Sequence, residues 1–132
     1  MIKLIIAGSR SFEDYELLKT EILKVYSSKL KDLHIVSGGA KGTDKLGERF
    51  AKEFGLQVTQ FIPDWGNITV EGAVVKKNRY GEYNAIAGHI RNQKMAEFAD
   101  ALFAFWVDGS SGTKDMILRA QKEKLEINTV LL

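Results

Sequence analysis

The chain has 132 residues, 45% of them hydrophobic and 27% charged, with 19 Lys and Arg against 17 Asp and Glu and no cysteine. That length fits one domain spanning residues 1–132, and the absence of cysteine excludes disulfides and thiolate metal sites. A net charge of +2 lacks the basic excess with which nucleic-acid binders neutralise phosphates.

The opening run Met-Ile-Lys-Leu-Ile-Ile-Ala-Gly is too short for a secretory signal. No stretch approaches the roughly 20 apolar residues that cross a membrane. The expectation is a cytoplasmic protein with no membrane partner.

Ile2 to Ala7 is a nearly continuous apolar run ending at Gly8, the pattern of a strand buried on both faces. Ser11-Phe12-Glu13-Asp14 then reads as a helix start, and Tyr15, Leu18, Ile22, Val25 and Tyr26 follow at helical spacing. Leu33 to Val36 is a second strand. Leu46, Phe50 and Phe54 mark a helix that Gly55 ends, and Leu56 to Ile62 is a third strand closed by Pro63.

Between Asp64 and Asn84 the periodicity breaks. Asn67 to Val70 and Ala73 to Lys76 flank Glu71-Gly72, so 64–84 reads as an inserted loop or a small hairpin turning there. A helix over Ala87 to Phe98, a strand over Ala101 to Val107, a helix over Thr113 to Lys124 and a strand over Ile127 to Leu131 complete the chain. Alternating strands and helices argue for parallel βαβ units with right-handed crossovers. The predicted fold is α/β: a Rossmann-like three-layer sandwich whose five-stranded parallel sheet has order 3-2-1-4-5 and helices on both faces.

Ligands in such sheets lie outside the carboxyl ends of the strands, beside the switch point between strands one and four. Three strand-to-helix junctions carry unusual residues there: Gly8-Ser9-Arg10, Ser37-Gly38-Gly39 running on to Thr43-Asp44, and Asp108-Gly109-Ser110-Ser111-Gly112-Thr113. Free N–H groups and the positive end of a helix dipole favour an anion at such a junction, and glycine lets a phosphate approach the backbone. Thr43 and Thr113 either donate to a phosphate or cap a helix.

Arg10 and Arg91 are the cations available to it, with Asn92 beside Arg91; a planar guanidinium suits phosphate bidentately. The alternative for each is a surface ion pair. Trp65, after Pro63-Asp64, either stacks on a base or covers the core, and Tyr83-Asn84 is placed to form a lid. No Walker motif or dinucleotide fingerprint occurs, no cofactor is implied, and His34 and His89 form no metal site.

These residues resemble the SLOG superfamily, in particular its small single-domain branch related to YspA and YpsA. The resemblance rests on Gly8-Ser9-Arg10-Ser11-Phe12, Val36 through Asp44, Pro63-Asp64-Trp65, Ala87-Gly88-His89-Ile90-Arg91-Asn92 with Met95-Ala96, and Gly109 through Thr113. It implies a pocket for a nucleotide or nucleotide-derived phosphate, sensed or sequestered, and often completed by a homodimer or higher homo-oligomer. It also implies an origin common in phage and prophage genomes.

The superfamily includes the LOG phosphoribohydrolases and the DprA/Smf DNA-processing proteins. This gives two alternatives: nucleoside-monophosphate hydrolysis, and single-stranded nucleic-acid binding through Lys76 to Tyr83. In the LOG pattern a glutamate follows the Gly-Thr loop; here Met116 holds that position, and Asp115 beside it is turned by about 100°. Arg91 matches the family's arginine. Asp44 and Asp108 are the carboxylates left as catalytic candidates, because glycosidic cleavage needs one near the oxocarbenium ion.

Overall fold

The computed structural model describes residues 1–107 and 109–132. Strand β1 (Ile2–Gly8) leads to helix α1 (Tyr15–Tyr26), a 3₁₀ turn (Ser27–Asp32) and β2 (Leu33–Ser37). Helix α2 (Thr43–Phe54) and β3 (Val58–Gln60) follow, then the pair β4 (Val75–Asn78) and β5 (Gly81–Asn84). Helix α3 (Ala87–Phe98), β6 (Ala101–Trp106), α4 (Ser111–Lys122) and β7 (Glu126–Leu131) finish the chain.

The five main strands are all parallel, in the order β3-β2-β1-β6-β7. Counted within this sheet the order is 3-2-1-4-5, as the alternation of elements predicts.

Side chains of β1 alternate between two cores, and this produces the three layers. Leu4 and Ile6 pack with Leu18, Ile22 and Phe50 from α1 and α2, whereas Ile5 and Ala7 pack with Met95, Ala96, Met116 and Ala120 from α3 and α4. On β6, Phe103 and Phe105 take the first face and Leu102 and Ala104 the second. Period-two alternation in a strand covered on both sides gives a continuous apolar run, the signal legible in the sequence.

Local signals set the helix ends. Asp14 caps α1 by accepting from Leu17 N–H at 3.1 Å, and Gly55 closes α2 at φ 66°, a left-handed position that favours glycine.

Two expectations need correction. The third strand is Val58–Gln60, not Leu56 to Ile62: it pairs with β2 opposite Ile35, Val36 and Ser37. A turn does form at Glu71-Gly72, closed by Ala73 N–H to the Val70 carbonyl at 3.0 Å, but no strands pair across it. The hairpin instead pairs Val75 with Asn84 and Asn78 with Gly81, turning at Arg79-Tyr80.

Candidate functional site

The carboxyl ends of β1, β2 and β6 surround one open cleft of about 640 Å³, within the usual range of small-molecule sites. It lies at the switch point, where connections from β1 run one way across the sheet and those from β6 the other.

Ser9 knits the three junctions together. Its N–H donates to the Phe105 carbonyl at 3.0 Å, and its carbonyl accepts from the Thr43 hydroxyl at 2.9 Å. Its hydroxyl accepts from Val107 N–H at 2.9 Å, which leaves the hydroxyl proton for the cleft. Gly8 is required by packing: a Cβ would stand 2.1 Å from the Phe105 carbonyl oxygen.

Helix α4 opens toward the cleft. Its N-cap, Ser110, makes no side-chain cap bond to the backbone; its hydroxyl instead pairs with Thr113 Oγ1 at 3.1 Å. Ser111 and Gly112 form the first turn and line the cleft, and a Cβ at Gly112 would meet nothing within 4 Å. Neither packing nor a positive φ requires glycine at 112, and the space over it is open. The dipole and N–H groups of the turn favour a negative charge in that space.

Opposite stands Arg91, half-buried. Its Nε donates to Asn92 Oδ1 at 2.9 Å, and its Nη1 donates to the Gly38 carbonyl at 2.6 Å and the Phe61 carbonyl at 3.4 Å. The surface ion pair considered from sequence does not form: among the described residues no carboxylate lies within 4 Å of this guanidinium. Among the described residues its Nη2 makes no hydrogen bond. Burial lowers the Arg91 pKa from its ordinary value, with Asp44 acting in the opposite direction.

Asp44 is buried on the first turn of α2 and lines the cleft, with Oδ2 accepting from Ala40 N–H at 3.1 Å. Burial pushes its carboxyl up to about 6, against the Ala40 hydrogen bond and the positive charge of Arg91. The cleft thus holds a carboxyl titrating near neutrality beside two arginines, since exposed Arg10 lines it too.

The cleft therefore gathers Gly8, Ser9, Arg10, Gly38, Asp44, Arg91, Asn92 and Gly109 through Thr113. Four other candidates lie outside it. Ser37 donates to Glu48 at 2.6 Å and accepts from Gly39 N–H. Gly39 faces Ile62, and the fully buried Thr43 hydroxyl is committed to Ser9. Trp65 packs edge-on to Tyr83 and over Gly88. Asp108 lies outside the described residues. Tyr83 and Asn84, offered as a lid, do not line the cleft: Asn84 is buried, and its Oδ1 accepts from Ile86 N–H at 3.1 Å and Val74 N–H at 3.3 Å.

Sequence reading missed the cleft's apolar lining, Met95 and Met116, and its further lining residues Ala7, Ser11, Ala40 and Val107. Met95 enters the sequence reading only within the family resemblance and Met116 only as the residue in place of a glutamate; both are buried, and nothing in the sequence shows that one end of their core lies open. Asp115 points away from the cleft, as the 100° rotation requires: it holds His89 Nδ1 at 3.1 Å, Asn92 Nδ2 at 2.9 Å and Arg119 Nε at 3.0 Å. Among the described residues no group of three or more His, Cys, Asp or Glu could hold a metal ion, and no helix is long and apolar enough to cross a membrane.

Residues 2–67 match the model of YAcAr, described as the YspA, cpYpsA-related SLOG family. Among solved structures, the chain is similar to the protein TM1055 at a TM-score of 0.62 and 19% identity, over 96% of this chain and 72% of that one. It is also similar to DNA processing protein A (DprA) from Streptococcus pneumoniae, with a TM-score of 0.54 and 17% identity over 97% of this chain and 58% of that one. The Helicobacter pylori DprA, whose structure concerns its single-stranded DNA binding mode, gives 0.58 and 16% over 97% and 64%. The chain spans less than two thirds of either DprA. At these identities the likeness is one of fold. A search of curated protein sequences found no match.

Proposed function

This chain belongs to the YspA, cpYpsA-related SLOG family, and we propose that its cleft binds a nucleotide or nucleotide-derived phosphate in a sensing or sequestering role. The observation that carries the reading is convergence: the open first turn of α4, with unfilled space at Gly112, faces Arg10 and Arg91 across one cleft. Phosphate seats on the turn. The Nη2 group of Arg91 supplies the charge-assisted bonds that its protein acceptors leave unused. Met95 and Met116 form an apolar floor beneath the sugar. Calorimetric titration with mononucleotides, ADP-ribose and cyclic nucleotides tests this; binding by none of them overturns it.

A second reading, hydrolysis of a nucleotide's N-glycosidic bond, is favoured by Asp44. Position 116 carries a methionine and Asp115 is engaged elsewhere, but Asp44 brings a carboxyl with a pKa of about 6 to the cleft, suited to general acid work. Release of free base from AMP, lost in Asp44→Ala, supports this reading, and no release sinks it. Binding of single-stranded nucleic acid would use the exposed Lys76, Lys77, Arg79 and Tyr80 of the hairpin. No salt-dependent shift with oligonucleotides disposes of that.

A further inference from the structure

A second cavity of about 310 Å³ lies on the far side of Arg91, beneath the inserted segment. Phe61, Ile62, Pro63, Val70 and Ile90 supply an apolar lining, and Asn84 lines it as well. Arg91 lines both cavities, and its Nη1 donates to Gly38 on the side of the main cleft and to Phe61 on the side of the second cavity. One guanidinium forms the partition.

Asn84 is 1% exposed. Its Oδ1 accepts from two backbone N–H groups, Val74 and Ile86, and this fixes the amide orientation. The other end is therefore NH2, a double donor with no partner among the described residues, on a side chain that lines the second cavity. The buried side-chain atoms without a partner among the described residues are the Tyr15 and Tyr26 hydroxyls, so the Asn84 NH2 group is not sealed in: it opens on the cavity, where an entering acceptor can take its hydrogen bonds.

We propose that this second cavity is a subsite for a planar heterocycle bearing a hydrogen-bond acceptor, the base of a nucleotide. The acceptor pairs with the Asn84 NH2 group and the ring lies against the apolar lining. The proposal rests on the nucleotide reading of the main cleft and deepens it: the ligand is a two-part molecule, with its anion on α4 and its ring beneath the insertion. This gives the 64–84 segment a task the bare sheet does not need, namely roofing the base.

The test compares ribose 5-phosphate, free nucleosides and the four common nucleoside monophosphates, by calorimetry, against the wild-type chain, Asn84→Asp and Ala87→Leu. Asn84→Asp keeps the oxygen that holds Val74 and Ile86 and removes the donor. Ala87→Leu fills the cavity from the buried start of α3. At least one nucleotide should bind the wild type tenfold or more tightly than ribose 5-phosphate, and that ratio should collapse toward one within each variant.

Ribose 5-phosphate that binds as well as every nucleotide, or an advantage that survives both variants, overturns the subsite and leaves the cleft reading standing. A nucleoside that binds, loses its affinity in the variants and competes with no phosphate compound overturns the cleft reading and leaves the subsite. No binding by any probe overturns both. Thermal melts confirm that each variant is folded.

Discussion

The Arg91 guanidinium and the Gly38 backbone are in direct contact, Nη1 to carbonyl oxygen at 2.6 Å. A Cβ on Gly38 would stand 2.5 Å from that same Nη1 and 2.8 Å from Asp44 Oδ2. In Gly38→Ala the arginine must swing away, since the tip of a long side chain yields before backbone does. Phosphate-ligand affinity is expected to fall at least tenfold, the scale of one hydrogen bond to a charged group at about 1.5–3 kcal/mol. The melting temperature should move by only a few degrees. Calorimetry beside a thermal melt separates the two effects.

Gly112 should behave oppositely in the two assays. Its added Cβ meets no protein atom, and alanine in a helix gains about 0.5–1 kcal/mol over glycine. Gly112→Ala is therefore expected to raise stability while narrowing the space over the first turn of α4. Affinity should fall about tenfold. Affinity that rises along with stability would mean the ligand does not sit there.

Asp44 leaves a mark on stability against pH. Its folded pKa of about 6 lies above the ordinary 3.8, so the native state holds this proton more tightly than the unfolded chain. The contribution is most favourable below about pH 4, declines as pH rises toward 6 and is flat beyond. By linkage the loss is about 3 kcal/mol. Asp44→Asn should remove it, so the wild-type-minus-variant difference in unfolding free energy should fall between pH 4 and 6. A flat difference would show that the carboxyl is solvated.

Asp115 carries the reverse sign. Burial alone would raise its pKa, but bonds from Arg119, Asn92 and His89 outweigh that and hold it below the ordinary value. Its contribution is present above the unfolded pKa and lost as pH falls through the folded one. Asp115→Ala unlatches α3 from α4 and should cost about 1–3 kcal/mol in denaturant unfolding. It also frees Asn92, which holds the Nε of Arg91, so ligand affinity should drop as well. Unchanged affinity in the folded variant would show that Asn92 keeps Arg91 in place unaided.

The sheet was legible because its strands are covered on both faces. Leu4 to Ala7 and Ala101 to Phe105 leave no polar position to blur the period. The hairpin was misplaced for the converse reason: all four residues of β4 are exposed, so no alternation marks its register. The cleft's loops were visible as glycine and hydroxyl clusters at strand ends. The commitments of individual side chains were not. Thr43 and Ser37 carry the hydroxyls a phosphate site would use, but contacts with Ser9 and Glu48, distant in sequence, engage them within the protein. Asn84, which the sequence offers with Tyr83 as a lid, stands in the structure as a buried staple.

Because a single guanidinium walls two chambers, whatever occupies one of them alters the electrostatic field and the freedom of movement felt in the other. An anion that draws Arg91 forward would loosen its hold on Phe61 and reshape the rear chamber. Fragments of a bipartite ligand, measured separately, should therefore give binding energies that do not sum to that of the intact molecule. The size of that shortfall or excess measures how strongly Arg91 couples the two halves.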